Sequence, residues 1–197
     1  NIDISFDELV DATEIGMMFN FAAKKGDWLV FSELTYLEVS DSQSVETGAN
    51  TKLGVNVDID GAIVDLAGGY KLVENEKFQL YGYAGMRYMD LDASIGVENA
   101  ESTIGELNMG DSWIDGFVGI HTRYKINDTF SFNTRLEVGG LGETDEAYMA
   151  HIAINHQIAK NWEVKYFYRY QKIDYRGDGF IYDMEITGPG IGVTYTF

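Results

Sequence analysis

The chain of 197 residues contains no cysteine and a single proline. Without cysteine it has neither a disulfide framework nor a thiolate metal site. No run approaches the roughly 20 apolar residues that a membrane-spanning helix needs, which excludes a helical membrane protein. Basic residues are also scarce, since 14 Lys and Arg stand against 32 Asp and Glu, for a formal net charge of −18. Nucleic acid is therefore excluded as a partner, because its phosphates would be repelled.

Apolar residues are instead spread thinly and alternate with small or polar ones. The chain is 45% hydrophobic and carries 22 Gly and 13 Tyr. In its last seven residues, Ile191, Val193, Tyr195 and Phe197 alternate with glycine and threonine. Because successive side chains of a strand point to opposite faces, this period of two predicts strands with one face toward lipid and one toward an interior.

Short polar turns alternate with longer connections along the chain. The turns fall at residues 24–27, 74–77, 125–128 and 159–161, and the longer connections at 40–52, 93–111, 140–145 and 174–179. Outer-membrane barrels place short turns on the periplasmic side and long loops outside. We therefore expect Phe197 to end at the periplasmic rim.

The segments between these connections predict a transmembrane, up-and-down antiparallel β-barrel in one domain, residues 1–197. Nine strands are predicted, at 14–23, 28–39, 62–73, 78–92, 112–124, 129–139, 147–158, 162–173 and 182–197. Bacterial single-chain barrels have an even number of strands, so we predict ten, with eight as the alternative. The tenth is either a short strand containing Ile2, Ile4 and Phe6 or a segment upstream of residue 1.

Ionisable residues in the predicted strands fall on the face opposite the lipid-facing set, as the cost of a charge at mid-bilayer requires. The predicted lumen-lining residues are Glu33, Asp65, Arg87, Asp115, His121, Arg123, Arg135, Glu137, His151, Glu163, Lys165 and Arg169. Because small barrels have interiors just wide enough for side chains, these mixed charges should pair and plug the lumen. A narrow selective passage lined by the same residues is the alternative.

Aromatic residues cluster at both ends of the predicted strands, where an interfacial girdle would lie. Those beside the short turns are Trp28, Tyr70, Phe78, Tyr124, Phe130, Trp162, Tyr195 and Phe197, and those toward the long connections are Tyr36, Tyr88, Tyr148, Tyr168 and Tyr170.

Catalysis would have to depend on histidine, the side chain best suited to proton transfer near neutral pH. His151 is the best candidate, since His121 lies toward the short turns and His156 on the lipid face. No spacing fixes a partner for any of them. We therefore expect that the protein is not an enzyme and has no cofactor.

Two local patterns carry little weight. Residues 56–61 begin like a calcium-binding loop, but the position of the closing glutamate is Ala67, so an EF-hand is rejected. A looser cation site containing Asp58 and Asp60 is the alternative. The Arg176-Gly177-Asp178 tripeptide occurs in adhesive proteins, although its glycine is also expected in a turn.

Several segments carry a family resemblance. The sequences YAGMRYMDLD at 83–92, YRY at 168–170, DYRGDGF at 174–180 and GPGIGVTYTF at 188–197 resemble a widespread, mostly uncharacterised group of Gram-negative outer-membrane β-barrel proteins, small and porin-like. Residues 3–9 are similar to the loop that follows the first strand in that group. The resemblance implies a location in the bacterial outer membrane, with no substrate or catalytic residues to carry over. The ending with Tyr195 and Phe197 resembles the signal read by the barrel assembly machinery.

The sequence thus predicts a monomeric, non-enzymatic outer-membrane barrel, in contact with lipid and lipopolysaccharide, whose lumen is either plugged or a narrow passive channel. A barrel whose outer loops bind a partner, a cation or lipopolysaccharide is the second hypothesis. A barrel hydrolase or acyltransferase is the third.

Overall fold

The structure is a computed structural model that describes residues 13–47, 51–99, 103–176 and 181–197. Among these residues, no helix is long and apolar enough to cross a membrane. They form nine β-strands: β1 Thr13–Lys25, β2 Trp28–Thr47, β3 Thr51–Glu74, β4 Phe78–Asn99, β5 Thr103–Lys125, β6 Phe130–Gly139, β7 Thr144–Ala159, β8 Trp162–Arg176 and β9 Ile181–Tyr195.

The strands form one sheet in the order β1 to β9, and each pairs antiparallel with the next. The four predicted short turns are confirmed and all lie at one end, which we call the short-turn end. Gly26 has a φ of 60° in the two-residue turn between β1 and β2, a conformation that glycine adopts without strain. Asn75 and Asn127 close two other turns, because each side-chain oxygen accepts two backbone N–H groups just ahead of it.

The two faces of the sheet differ as the alternation predicts. On the outer face, large apolar side chains such as Phe19, Leu66 and Met86 are more than half exposed. On the inner face, charged side chains such as Asp65 and Arg87 are only 1% and 2% exposed. A sheet that exposes apolar side chains and buries charged ones is suited to lipid outside and an enclosed polar interior.

The sheet curls into a barrel. Arg169 on β8 reaches across the interior to Glu33 on β2, with 2.6 Å between Nη1 and Oε1. On the outer face, the rings of Phe21 on β1 and Phe197 after β9 lie 6.4 Å apart between centroids. In the part of the chain that the structure describes, no ladder of backbone hydrogen bonds joins β1 to β9. The barrel is therefore drawn together at this seam by side chains.

Two of the predicted long connections are wrong. Most of residues 40–52 and 93–111 continues β2, β3, β4 and β5, so that two hairpins project beyond the other strands. Aliphatic residues such as Val55 and Val57 keep the period of two there, but acidic and small residues on the opposite face resemble loop composition. We call the projecting part of these four strands the outer wall; it comprises residues 38–47, 51–60, 92–99 and 103–110.

Two other predicted connections are shortened. β7 begins at Thr144, inside predicted connection 140–145, and β8 extends to Arg176, inside 174–179. The described residues contain nine strands, and the proposed tenth at Ile2–Phe6 lies outside them, as does Gly177-Asp178 of the tripeptide.

Candidate functional site

The middle of the barrel interior holds a layer of six charged side chains. Their positions on the inner face follow from the period of two in their strands, and the curl of the sheet brings them together. The layer consists of Glu33 on β2, Asp65 on β3, Arg87 on β4, Arg135 and Glu137 on β6, and Arg169 on β8. Three carboxylates face three guanidinium groups, so the layer is electrically balanced.

Arg87 binds two of the carboxylates. Its Nε and Nη2 donate to the two oxygens of Asp65 at 2.7 Å each, and Nη2 also donates to Oε2 of Glu137 at 2.8 Å. The paired geometry with Asp65 is the bidentate form that suits a guanidinium and a carboxylate.

The other two arginines share Glu33. Arg135 Nη1 donates to Oε2 of Glu33 at 2.8 Å, and Arg169 Nη1 donates to Oε1 at 2.6 Å. Arg135 Nε also reaches Glu137 at 2.7 Å, and the Tyr83 hydroxyl donates to the same carboxylate at 2.9 Å. These contacts tie β2, β4, β6 and β8 together across the interior, so charged side chains span it at this level.

An apolar layer covers the charged layer on the side of the outer wall. It contains Ile63, Met89, Leu91, Trp113, Ala147, Ile173 and Tyr175. The Trp113 and Tyr175 rings stack nearly parallel, at an angle of 8° and a centroid distance of 3.8 Å. Side chains in this layer are at most 8% exposed, which leaves little free cross-section.

Asp115 lies where the charged and apolar layers meet. Its carboxylate accepts the indole N–H of Trp113 at 3.1 Å and the backbone N–H of Thr144 at 2.9 Å. The hydroxyl of Thr144 also contacts it. The fixed donors compensate the burial of this carboxylate, which lacks the arginine partner that the other buried acids have.

An aromatic layer lies on the other side of the charged layer, toward the short turns. It contains Leu29, Phe31, Ala67, Tyr81, Tyr83 and Phe117. The guanidinium of Arg135 lies 4.8 Å from the ring centre of Phe31, and that of Arg87 lies 5.0 Å from that of Phe117. These cation–π contacts hold the charged and aromatic layers together.

The remaining predicted residues lie between the charged layer, where His151 is level with Arg135 and Arg169, and the short-turn end of the interior. Arg123 and Glu163 form an ion pair there, and Lys165 lies on the same strand as Glu163. The His121 ring stacks on Tyr81 at 6.3 Å, and the His151 ring stacks on Phe167 at 4.9 Å. A cavity of about 290 Å³ opens at this end, beside Arg123, Ser131, Gln157 and Glu163.

The histidines do not assemble a recognisable catalytic group. The hydrogen bonds found between described residues join neither His121 nor His151 to a hydroxyl or carboxylate, and His156 stacks on Phe130 at the outer face. General acid–base catalysis requires a base within hydrogen-bond reach of its partner. The rings of His121 and His151 are instead stacked on aromatic neighbours.

The weak cation candidates lie on the polar face of the outer wall. Asp58 and Asp60 are both exposed on β3, and the nearest polar contact is Ser94 Oγ to Asp58 at 3.5 Å. Across the described ranges, no three acidic or histidine side chains are arranged to hold a metal ion.

Sequence reasoning missed three contributors to the interior. Thr144 was assigned to a connection, although it binds Asp115, and Tyr175 was assigned to an outer loop, although its hydroxyl donates to Asp111 at 2.8 Å. Trp113 precedes Asp115 by two residues, and the shared face of such positions was the available signal.

No protein-family model matches the sequence, and no curated protein matches it. The chain resembles several solved structures. The translocator domain of the autotransporter NalP from Neisseria meningitidis matches over 91% of this chain and 64% of its own length, with a TM-score of 0.61 and 16% identity. This chain thus spans less than two thirds of the length of that structure.

The other two similarities are weaker. The transport unit of the autotransporter AIDA-I from Escherichia coli has a TM-score of 0.44 at 11% identity, over 94% of this chain and 87% of that one. The KdgM porin, in complex with disordered oligogalacturonate, has a TM-score of 0.38 at 10% identity, over 93% of this chain and 99% of that one.

The fold is that of an outer-membrane β-barrel. The likeness to the NalP translocator domain, the antiparallel sheet in sequential order and the inverted distribution of apolar and charged side chains all agree on this class.

Proposed function

We propose that the protein is an integral, non-enzymatic barrel of the bacterial outer membrane whose lumen is closed to solutes. The observation that carries this proposal is the succession of two filled layers: the balanced charged layer with Arg87 at its centre and the apolar layer with Trp113. Both layers would have to be displaced for an ion to pass. The plugged interior is therefore favoured over the narrow channel.

Planar-bilayer recording tests the closed lumen. We expect purified, folded protein to give no stable single-channel steps. A variant with Arg87→Ser and Trp113→Ala, which removes one guanidinium group from the charged layer and the largest side chain from the apolar layer, should give small steps and so provides the positive control. Stable steps from the wild type, at a protein concentration that gives one insertion at a time, would reject the closed lumen in favour of the channel.

The outer wall supports a second function, binding at the cell surface. Its inner face carries aliphatic residues in register across four strands, for example Val39, Ile59, Ala93 and Met109 in one row. The opposite face carries Glu38, Asp60 and Asp92 in the adjacent row. A barrel that conducts no ions can still present a wall with one aliphatic face and one acidic face outside the membrane.

Lipopolysaccharide is the partner proposed for this wall, bridged by divalent cations to its acidic face. Cosedimentation with lipopolysaccharide micelles in magnesium should fall when residues 95–107 are replaced by a tight turn, and should remain when the turn at 125–128 is replaced instead. Equal binding of lipopolysaccharide by both variants would show that the outer wall is not the binding surface. Insertion by the barrel assembly machinery through Tyr195 and Phe197, and a monomeric state, remain parts of the same proposal.

A further inference from the structure

The part of the interior on the short-turn side of the charged layer is rich in cations. On β5 and β8, inward positions there hold His121, Arg123 and Lys165, and Arg135 and Arg169 of the charged layer border the region, level with His151. The cations Lys24, Arg123, Arg135 and Lys165 are all close enough to His121 to act on it electrostatically. The whole chain has a net charge of −18, so this region differs from the rest of the protein in the sign of its charge.

Lys165 is the cation in this region without a partner. Arg135 and Arg169 are bound in the charged layer and Arg123 binds Glu163, while Lys24 lies over the Tyr81 ring at 4.7 Å. No ion pair between described residues includes Lys165. The Glu33 and Glu163 carboxylates act on Lys165 only from beyond ion-pair distance, so an anion in direct contact with the ammonium group would offset the cost of its burial.

Space for an anion exists beside Lys165. Its cross-strand neighbour on β9 is Gly192, and a side chain added at Gly192 would meet no atom within 4 Å. The next inward glycine, Gly190, has no such space, since a Cβ there would lie 2.2 Å from the Phe167 ring. The space is therefore specific to the Gly192 position, opposite Lys165.

Unpartnered buried polar atoms border the same region. Asn155, directly opposite Lys165 on β7, is 2% exposed, and its side-chain oxygen lacks a hydrogen-bond partner. Its amide N–H donates to the Ser131 hydroxyl at 3.2 Å, and Ser131 lines the cavity that opens at the short-turn end. Arg169 Nε, on the strand of Lys165, is also buried without a partner.

We propose that this region, bounded by Lys165, Asn155 and Gly192, is a binding site for a small soluble oxyanion of the phosphate class. Lys165 neutralises the anion, and a protonated phosphate oxygen supplies the donor that the Asn155 oxygen lacks. The site does not depend on closure of the lumen at the charged layer, so its failure and that of the proposed closed barrel are separate results.

Inorganic phosphate titrated into folded protein in detergent, without lipid, tests the site. Isothermal calorimetry or the thermal unfolding midpoint should show saturable stabilisation by phosphate that sodium chloride at equal ionic strength does not reproduce. An equal effect of chloride, or no saturable effect on the wild type, would overturn the proposal without any variant.

A pair of lysine variants on one strand locates the binding. Lys165→Gln should weaken phosphate binding by about tenfold or more, as expected for loss of a charge-assisted contact. Lys165→Arg should retain most of it. The matched control is Lys172→Gln. Lys172 lies seven residues further along β8 and pairs with Glu146, so this variant should bind phosphate with the affinity of the wild type. If Lys165→Gln folds and binds phosphate like the wild type, the assignment is wrong.

Discussion

At the scale of single residues, Arg87 connects several strands of the interior, because it binds both Asp65 and Glu137 and also lies over the Phe117 ring. Arg87→Ala would leave the Asp65 carboxylate buried without its closest counter-charge and would remove one of the two arginines that bind Glu137. We expect the free energy of unfolding to fall by about 3–5 kcal/mol, the usual cost of breaking a buried ion pair. Urea unfolding in detergent micelles, followed by tryptophan fluorescence, measures the change.

The matched control for this prediction is Lys172→Ala, which removes an exposed pair with Glu146 at 3.6 Å. Exposed pairs contribute little, so the unfolding curve should stay unchanged. If both substitutions had the same effect, the charged layer would not be a principal source of stability.

A second residue-scale prediction concerns acid titration at the turn between β3 and β4. A hydrogen bond from Lys71 Nζ, at 2.5 Å, and another from Gln79 hold the pKa of the Glu74 carboxyl below its ordinary value. In the unfolded chain Glu74 takes up its proton at a higher pH. The stabilisation is therefore present above the ordinary glutamate pKa and is lost as the pH falls toward the lowered pKa.

Carbon NMR of the side-chain carboxyls should show the Glu74 pKa move back toward its ordinary value in Lys71→Gln. Lys125→Gln is the control, because it removes the lysine that lowers the pKa of Asp128 at the neighbouring turn. If the pKa of Glu74 were unchanged in Lys71→Gln, a group other than Lys71 would be responsible for lowering it.

At the scale of strands, β3, β4 and β5 approach closely because Gly85 has no side chain. A Cβ at Gly85 would lie 2.5 Å from the Leu66 carbonyl oxygen, 2.6 Å from the Phe117 ring and 2.7 Å from the Ala67 Cβ. Gly85→Ala should therefore destabilise the barrel by about 1–3 kcal/mol, the range for overpacking.

Gly68→Ala is the matched control for that prediction, since a Cβ there would meet nothing within 4 Å. The two unfolding midpoints, measured in the same micelles, should differ clearly, with Gly68→Ala close to the wild type. Equal midpoints would contradict the close packing at Gly85.

Strand positions were largely predictable from sequence, whereas strand lengths and charge pairing were not. The period of two and the asparagine turns locate all nine described strands. The outer wall was missed because residues such as Asp58 and Asp60 alternate with aliphatic ones, and acidic residues on a water-exposed strand resemble a loop. The pairing of charged side chains depends on the curl of the sheet and on strand register. Arg135 binds Glu33, which lies 102 residues away in the sequence, and no local sequence pattern predicts that contact.

At the scale of the whole molecule, closure of the sheet predicts that Phe21 on β1 lies close to Phe197, which follows β9. The chain has no cysteine, so Phe21→Cys combined with Phe197→Cys introduces a unique pair on the outer face. A short bifunctional maleimide should crosslink the folded protein efficiently and change its gel mobility after denaturation.

The control for closure combines Phe21→Cys with Val118→Cys, an exposed position on β5. β5 lies in the middle of the nine-strand order, so this pair should crosslink poorly. Similar yields from both pairs would indicate that the sheet is not held closed between β1 and β9.

The aromatic girdles also have a consequence for the kind of bilayer that suits this protein. On β2 the outward residues run from Trp28 to Tyr36, and Glu38 follows on the same face. Eight residues of strand rise about 26 Å along the chain, and a tilt of about 40° reduces this to roughly 20 Å along the membrane normal. The apolar belt is thus shorter than the hydrocarbon core of an average bilayer, and hydrophobic mismatch would concentrate the protein where the membrane is thin.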